Sequence, residues 1–105
     1  MLIIVKCENL EQVRENIDII DKKIVKLIAE RSTYVVQAAS FKKNSDEVKA
    51  AERVEKIISK VRGLANEHCV NPDIVEKIYR EMISSFINFE LAEQKKLRVV
   101  TETNV

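Results

Sequence analysis

The chain has 105 residues, 46% hydrophobic and 33% charged, which suits one globular domain and argues against wholesale disorder. Gly63 and Pro72 are the only glycine and proline, which excludes folds that need a turn roughly every 8–12 residues. Eighteen Lys and Arg against seventeen Asp and Glu leave a net charge of +1, so no basic surface for nucleic acid or a membrane is expected.

The expected fold class is therefore all-α: a few long helices forming a single domain over 1–105, with its core at about 8–97 and a tail at 98–105. No run of about 18 apolar residues is present, so no transmembrane helix is expected. Met1 to Cys7 is too short, and too poor in basic residues, for a signal peptide. Cys7 and Cys69 lack metal-ligand spacing and read as reduced thiols of a cytoplasmic protein. His68 and Cys69 are adjacent, and neighbours on a helix point about 100° apart, so no metal site is expected there.

The first helix is expected over about Leu10 to Lys42. Apolar residues recur at Leu10, Val13, Ile17, Ile20, Ile24 and Leu27, then at Tyr34, Ala38 and Phe41. The slot this spacing skips holds Arg31. A helix of that length spans about 45–50 Å, more than one small globule covers when its radius of gyration is near 13 Å. A homodimer covering the stripe with a second chain is the simplest expectation.

A polar break follows at Lys43 to Asp46, where Asn44 and Glu47 have the spacing of a capping box for the second helix. Its apolar stripe is expected at Val48, Ala51, Val54, Ile58, Val61 and Leu64, ending between Gly63 and Glu67. Asn71 as N-cap and Pro72 at the first helical position open the third helix. Its stripe reads Val75, Tyr79, Ile83, Phe86 and Glu90, with Ile78, Met82 and Phe89 alongside, fading after Leu97.

Charges on apolar stripes are costly unless they are paired or bind something. Arg31 and Glu90 are such charges; either they form a buried salt bridge, or they snorkel at the edge of the core, or they face a ligand. Lys42 lies 11 residues beyond Arg31 and returns to within about 20° of the same face. Arg14 lies 17 residues before Arg31, about 25 Å along the axis and on another face. For Arg14 to serve the same site, a second chain must supply it. Singly, Arg14 and Lys42 also read as ordinary solvated charges.

The run Leu10-Glu11-Gln12-Val13-Arg14-Glu15-Asn16-Ile17-Asp18, then Ile20-Asp21, Leu27-Ile28-Ala29-Glu30-Arg31 and Phe41-Lys42, resembles the first helix of the all-α, type II chorismate mutases. The likeness continues through Glu52-Arg53-Val54 to Glu90 and covers about residues 8–97. It implies an intertwined three-helix homodimer with two active sites, each taking an arginine from the partner chain. It also implies the cofactor-free pericyclic rearrangement of chorismate to prephenate, and a place in aromatic amino acid biosynthesis. The substrate is a dianion whose transition state gathers negative charge on an ether oxygen. Clamping two carboxylates and placing donors at that oxygen is the catalytic requirement.

Carried onto this chain, the resemblance makes Arg31 and the partner chain's Arg14 carboxylate binders, a role that suits the arginine fork. It makes Lys42 a contact to substrate and ether oxygen, puts Glu90 where the family usually has a glutamine donor, and gives Arg53 a supporting role. Gln94, one turn on, is the fallback donor. A glutamate at 90 donates only when protonated. Val54 stands where the family usually has a glutamate that holds the ring hydroxyl. The stretch Ala50 to Val54 is closer to isochorismate–pyruvate lyase, which shares the fold and forms salicylate. A mutase of 4-amino-4-deoxychorismate is a further alternative. A non-catalytic helical dimerisation module would keep the heptads and lose Arg14, Arg31 and Lys42.

Overall fold

A computed structural model describes residues 4–41 and 50–103, with the backbone alone described at position 90 and over 93–103. Among the described residues, three helices follow one another: α1 (Leu10–Ala39), α2 (Ala51–Glu67) and α3 (Pro72–Thr103). Among the described residues there is no strand, and the all-α expectation holds. The expected break at Lys43 to Asp46, the Asn44–Glu47 capping box and Val48 lie outside the described residues. The chain divides into two compact units, Met1–Val35 and Val36–Val105.

In the first unit, α1 is opened by a cap that sequence pattern did not reveal. The Asn9 side-chain oxygen accepts the Gln12 backbone N–H at 2.9 Å, and Gln12 Oε1 accepts the Glu8 N–H at 2.9 Å. Asn9 satisfies a donor that the first turn leaves orphaned, and Gln12 reaches back to the residue before the cap. Asn16 donates to the Gln12 carbonyl at 2.9 Å and lies 3.6 Å from Cys7 Sγ, holding half-buried Cys7 beside the second turn. None of the helix's residues is buried. Leu10, Val13, Ile17, Ile20, Ile24 and Leu27 are 40–61% exposed, so the long apolar stripe read from the sequence faces solvent within this chain.

In the second unit, α2 and α3 pack against each other through Ile58, Val61, Ala65 and Ile83. The α2 stripe thus runs Val54, Ile58, Val61, Ala65, and Leu64 lies outside it at 46% exposure. The reason is geometric: a step of four residues from Val61 turns about 40°, whereas a step of three turns about 60° the other way. On α3 the expected stripe is found as far as Phe86, with Ile83 buried and Val75, Tyr79 and Phe86 half-buried, and the Glu90 side chain lies outside the described residues. Met82 joins it, whereas Ile78 and Phe89 are exposed.

The connection between the two helices is a Schellman closure. The Cys69 N–H donates to the Asn66 carbonyl at 3.3 Å, and the Val70 N–H donates to the Ala65 carbonyl at 2.9 Å. Cys69 takes the left-handed conformation this closure demands, with φ 59°. The expected cap of α3 is present: Asn71 Oδ1 accepts the Asp73 N–H at 2.9 Å, and Pro72 is the first helical residue. The helix runs to Thr103, beyond the expected fading at Leu97, so part of the expected tail is helical.

Candidate active site

Arg14 stands exposed on α1, and Arg31 is half-buried on the same helix. Seventeen residues of continuous helix hold them about 25 Å apart along the axis. No bend of a side chain closes that gap. Lys42 lies outside the described residues.

In the second unit, Arg53 is exposed in the first turn of α2, and Val54 is half-buried at the head of the α2 core stripe. Val54 therefore has a packing role whatever else it does. The backbone positions of Glu90 and Gln94 lie on α3, one turn apart. Arg53, Val54 and Glu90 thus belong to one compact unit. Among the described residues, no group of three or more His, Cys, Asp or Glu is placed to hold a metal ion. No described helix is long and apolar enough to cross a membrane.

Beside the core of this unit runs an ion-pair ladder that the sequence reading missed. Arg80 on α3 meets Glu55 on α2 with both prongs of its fork, Nη1 to Oε1 at 3.0 Å and Nη2 to Oε2 at 3.1 Å. Its Nε donates to Glu76 Oε2 at 2.8 Å, one turn back on α3. The other Glu76 oxygen accepts from Arg62 Nη1 at 2.8 Å, and Arg62 also meets Asp73 at 3.0 Å. The hydrogen bonds from Arg80 pull the carboxyls of Glu55 and Glu76 below the ordinary glutamate range. The guanidinium groups of Arg62 and Arg80 are pushed up by the same partners, Asp73 and Glu76 for the first, Glu55 and Glu76 for the second. A signal was present in the sequence: Glu55 and Arg62 lie two turns apart on α2, and Asp73, Glu76 and Arg80 follow at 3-4 spacing on α3. These charges flank the apolar stripes, where charge is ordinary, and so do not stand out as Arg31 and Glu90 do on the stripes themselves.

The type II chorismate mutase family model matches residues 13–91. Over 77 residues the chain is 38% identical to the chorismate mutase of Methanocaldococcus jannaschii, covering 72% of this chain and 78% of that protein. Over 90 residues it is 33% identical to the isochorismate pyruvate lyase of Pseudomonas aeruginosa, covering 86% of this chain and 85% of that protein. It is also 33% identical over 85 residues to the bifunctional chorismate mutase/prephenate dehydratase of Buchnera aphidicola, of which the matched part is 21%. The match spans three helices and both compact units, and the chain belongs to the type II chorismate mutase family.

Proposed function

We propose that the protein is a chorismate mutase that rearranges chorismate to prephenate without a cofactor, as a homodimer with two shared sites. One observation carries this reading: Arg14, Arg31, Lys42, Arg53, Val54 and Glu90 all fall within the 13–91 span matched by the family model. Arg31 and the partner chain's Arg14 clamp the two substrate carboxylates, Lys42 and Glu90 donate to the ether oxygen as charge grows there, and Arg53 supports them. The second chain covers the exposed stripe of α1 and supplies the arginine that one helix cannot bring to its own Arg31. We place the activity in the cytoplasm, in keeping with the two free cysteines.

Isochorismate–pyruvate lyase activity is the second reading. Val54 favours it, since an apolar side chain offers nothing to a ring hydroxyl, and a relative of that activity matches along most of its length. The deciding experiment supplies purified protein with chorismate and, separately, isochorismate, and follows prephenate, salicylate and pyruvate. Prephenate from chorismate supports the mutase, and salicylate with pyruvate from isochorismate supports the lyase. Turnover of neither shifts the weight to the 4-amino analogue or to a non-catalytic dimer. In the active enzyme, mutase turnover falls as pH rises because Glu90 must be protonated to donate, and Glu90→Gln flattens that profile. An unchanged profile in the variant rules out the donor role.

A further inference from the structure

The ion-pair ladder fixes more than the stability of the helix pair. Glu55 faces Arg80, and Arg62 faces Asp73 and Glu76, so position numbers rise on one helix as they fall on the other. The two helices are antiparallel, and the charges make their register one-sided. If α3 slipped by one turn, about 5.4 Å, Glu55 would face Glu76 in one direction, and Arg62 would face Arg80 in the other. Either slip sets like charges opposite one another.

The start of α2 needs such a device. Ala50, at the N-cap position, has no side-chain oxygen to cap the first turn, and among the described residues no side chain takes the place that Asn9 has on α1 and Asn71 has on α3. Arg53 and Val54 lie in that first turn, immediately before Glu55. Arg80 holds Glu55 with a bidentate fork and is itself braced by Glu76, which fixes the orientation of the fork. On α3, the backbone position of Glu90 is ten residues beyond Arg80, about 15 Å along one continuous helix.

We propose that Arg80 is a positioning residue: its clamp on Glu55 ties the start of α2, where Ala50 cannot cap the helix, and holds Arg53 and Val54 in register with the Glu90 position on α3. This rests on the reading of Arg53, Val54 and Glu90 as site residues of a chorismate- or isochorismate-converting enzyme. Arg62 ties the far end of the ladder to Asp73 and Glu76, so its removal is expected to leave the Arg80–Glu55 pair in place.

The test compares Arg80→Gln with Arg62→Gln in the full-length protein, each of which removes a guanidinium that engages two carboxylates. Melting temperature, kcat/KM on chorismate and isochorismate, and the backbone amide shifts of Arg53, Val54 and Glu90 are measured in both. The two variants lose similar melting temperature, but Arg80→Gln lowers kcat/KM about tenfold or more while Arg62→Gln stays within about twofold, since small misplacements at a reacting centre are costly. Arg80→Lys, which keeps the charge and loses the fork, recovers part of the loss. Equal losses in the two variants, or kcat/KM in Arg80→Gln within about twofold of the parent, overturn the proposal. If the parent turns over neither compound, the proposed function fails, and the amide shifts alone decide the positioning role. Movement at Arg53, Val54 and Glu90 in Arg80→Gln but not in Arg62→Gln supports it, and no movement overturns it. If Arg80→Gln does not fold, Glu55→Gln removes the clamp while leaving Arg80 on Glu76, and the same comparison applies.

Discussion

Gly63→Ala is expected to stabilise the protein. Gly63 is exposed and lies within α2, four residues before Glu67, the last of a 17-residue helix. It does not take a positive φ, so no backbone conformation demands a glycine there. A Cβ placed at this position meets nothing within 4 Å, so the substitution adds a methyl group without displacing a neighbour. The helix propensity difference between glycine and alanine, about 0.8–1.0 kcal/mol, is therefore expected almost in full. For a chain of this size that corresponds to a rise in melting temperature of roughly 3–6 °C. Circular dichroism at 222 nm reads it, by heat and by urea, at one fixed protein concentration because assembly shifts apparent stability. The urea midpoint should rise with an unchanged slope. A lower melting temperature would refute the reasoning and show that another chain approaches α2 at Gly63.

Cys69→Gly is expected to gain about 0.5–1 kcal/mol, since glycine takes the left-handed conformation of the Schellman closure without a Cβ penalty; a less stable variant in the same melt would contradict this. Asn71→Ala is expected to cost about 1 kcal/mol by removing the acceptor for the Asp73 N–H, and an unchanged urea midpoint would show that the cap contributes nothing. Glu55 and Glu76 have lowered carboxyl pKa values in the folded chain, so their stabilisation is present above the ordinary glutamate value of about 4.3 and is lost as pH falls through the lower folded values. Melting temperature should therefore drop on acidification below about pH 4, and less steeply in Glu76→Gln; identical slopes in parent and variant would rule the ladder out as the cause.

Much of this architecture was legible because it is carried by periodicity. The stripe of α1, the Asn71-Pro72 start of α3 and the Val75-Tyr79-Ile83-Phe86 face follow from apolar spacing and local capping chemistry. What was not legible depends on hydrogen-bond closure or on a neighbouring helix. The only glycine sits in an open helical position, while the left-handed residue that closes α2 is a cysteine. Position in the Schellman closure fixes that backbone, and the side chain tolerates it. Ala65 replaces Leu64 in the core because the stripe must point at α3, which pattern on α2 alone does not specify. The cap of α1 is hidden for a different reason: Asn9 and Gln12 have the required spacing, but Asn9 lies just outside the apolar stripe that marks the helix.

The candidate site is legible in residue type and illegible in assembly, and α1 explains why. A continuous helix is a ruler: Arg14 and Arg31 keep the same separation, about 25 Å, however the rest of the chain is arranged. Two arginines so placed cannot clamp one small dianion from a single chain. The same helix buries none of its residues and carries an apolar stripe of a kind that is not normally left in water. A second chain laid along the stripe would meet both conditions at once, covering the apolar residues and bringing its own Arg14 towards the first chain's Arg31. In the proposed dimer, the helix length that keeps one chain from completing the site would be the property that lets two chains complete two sites.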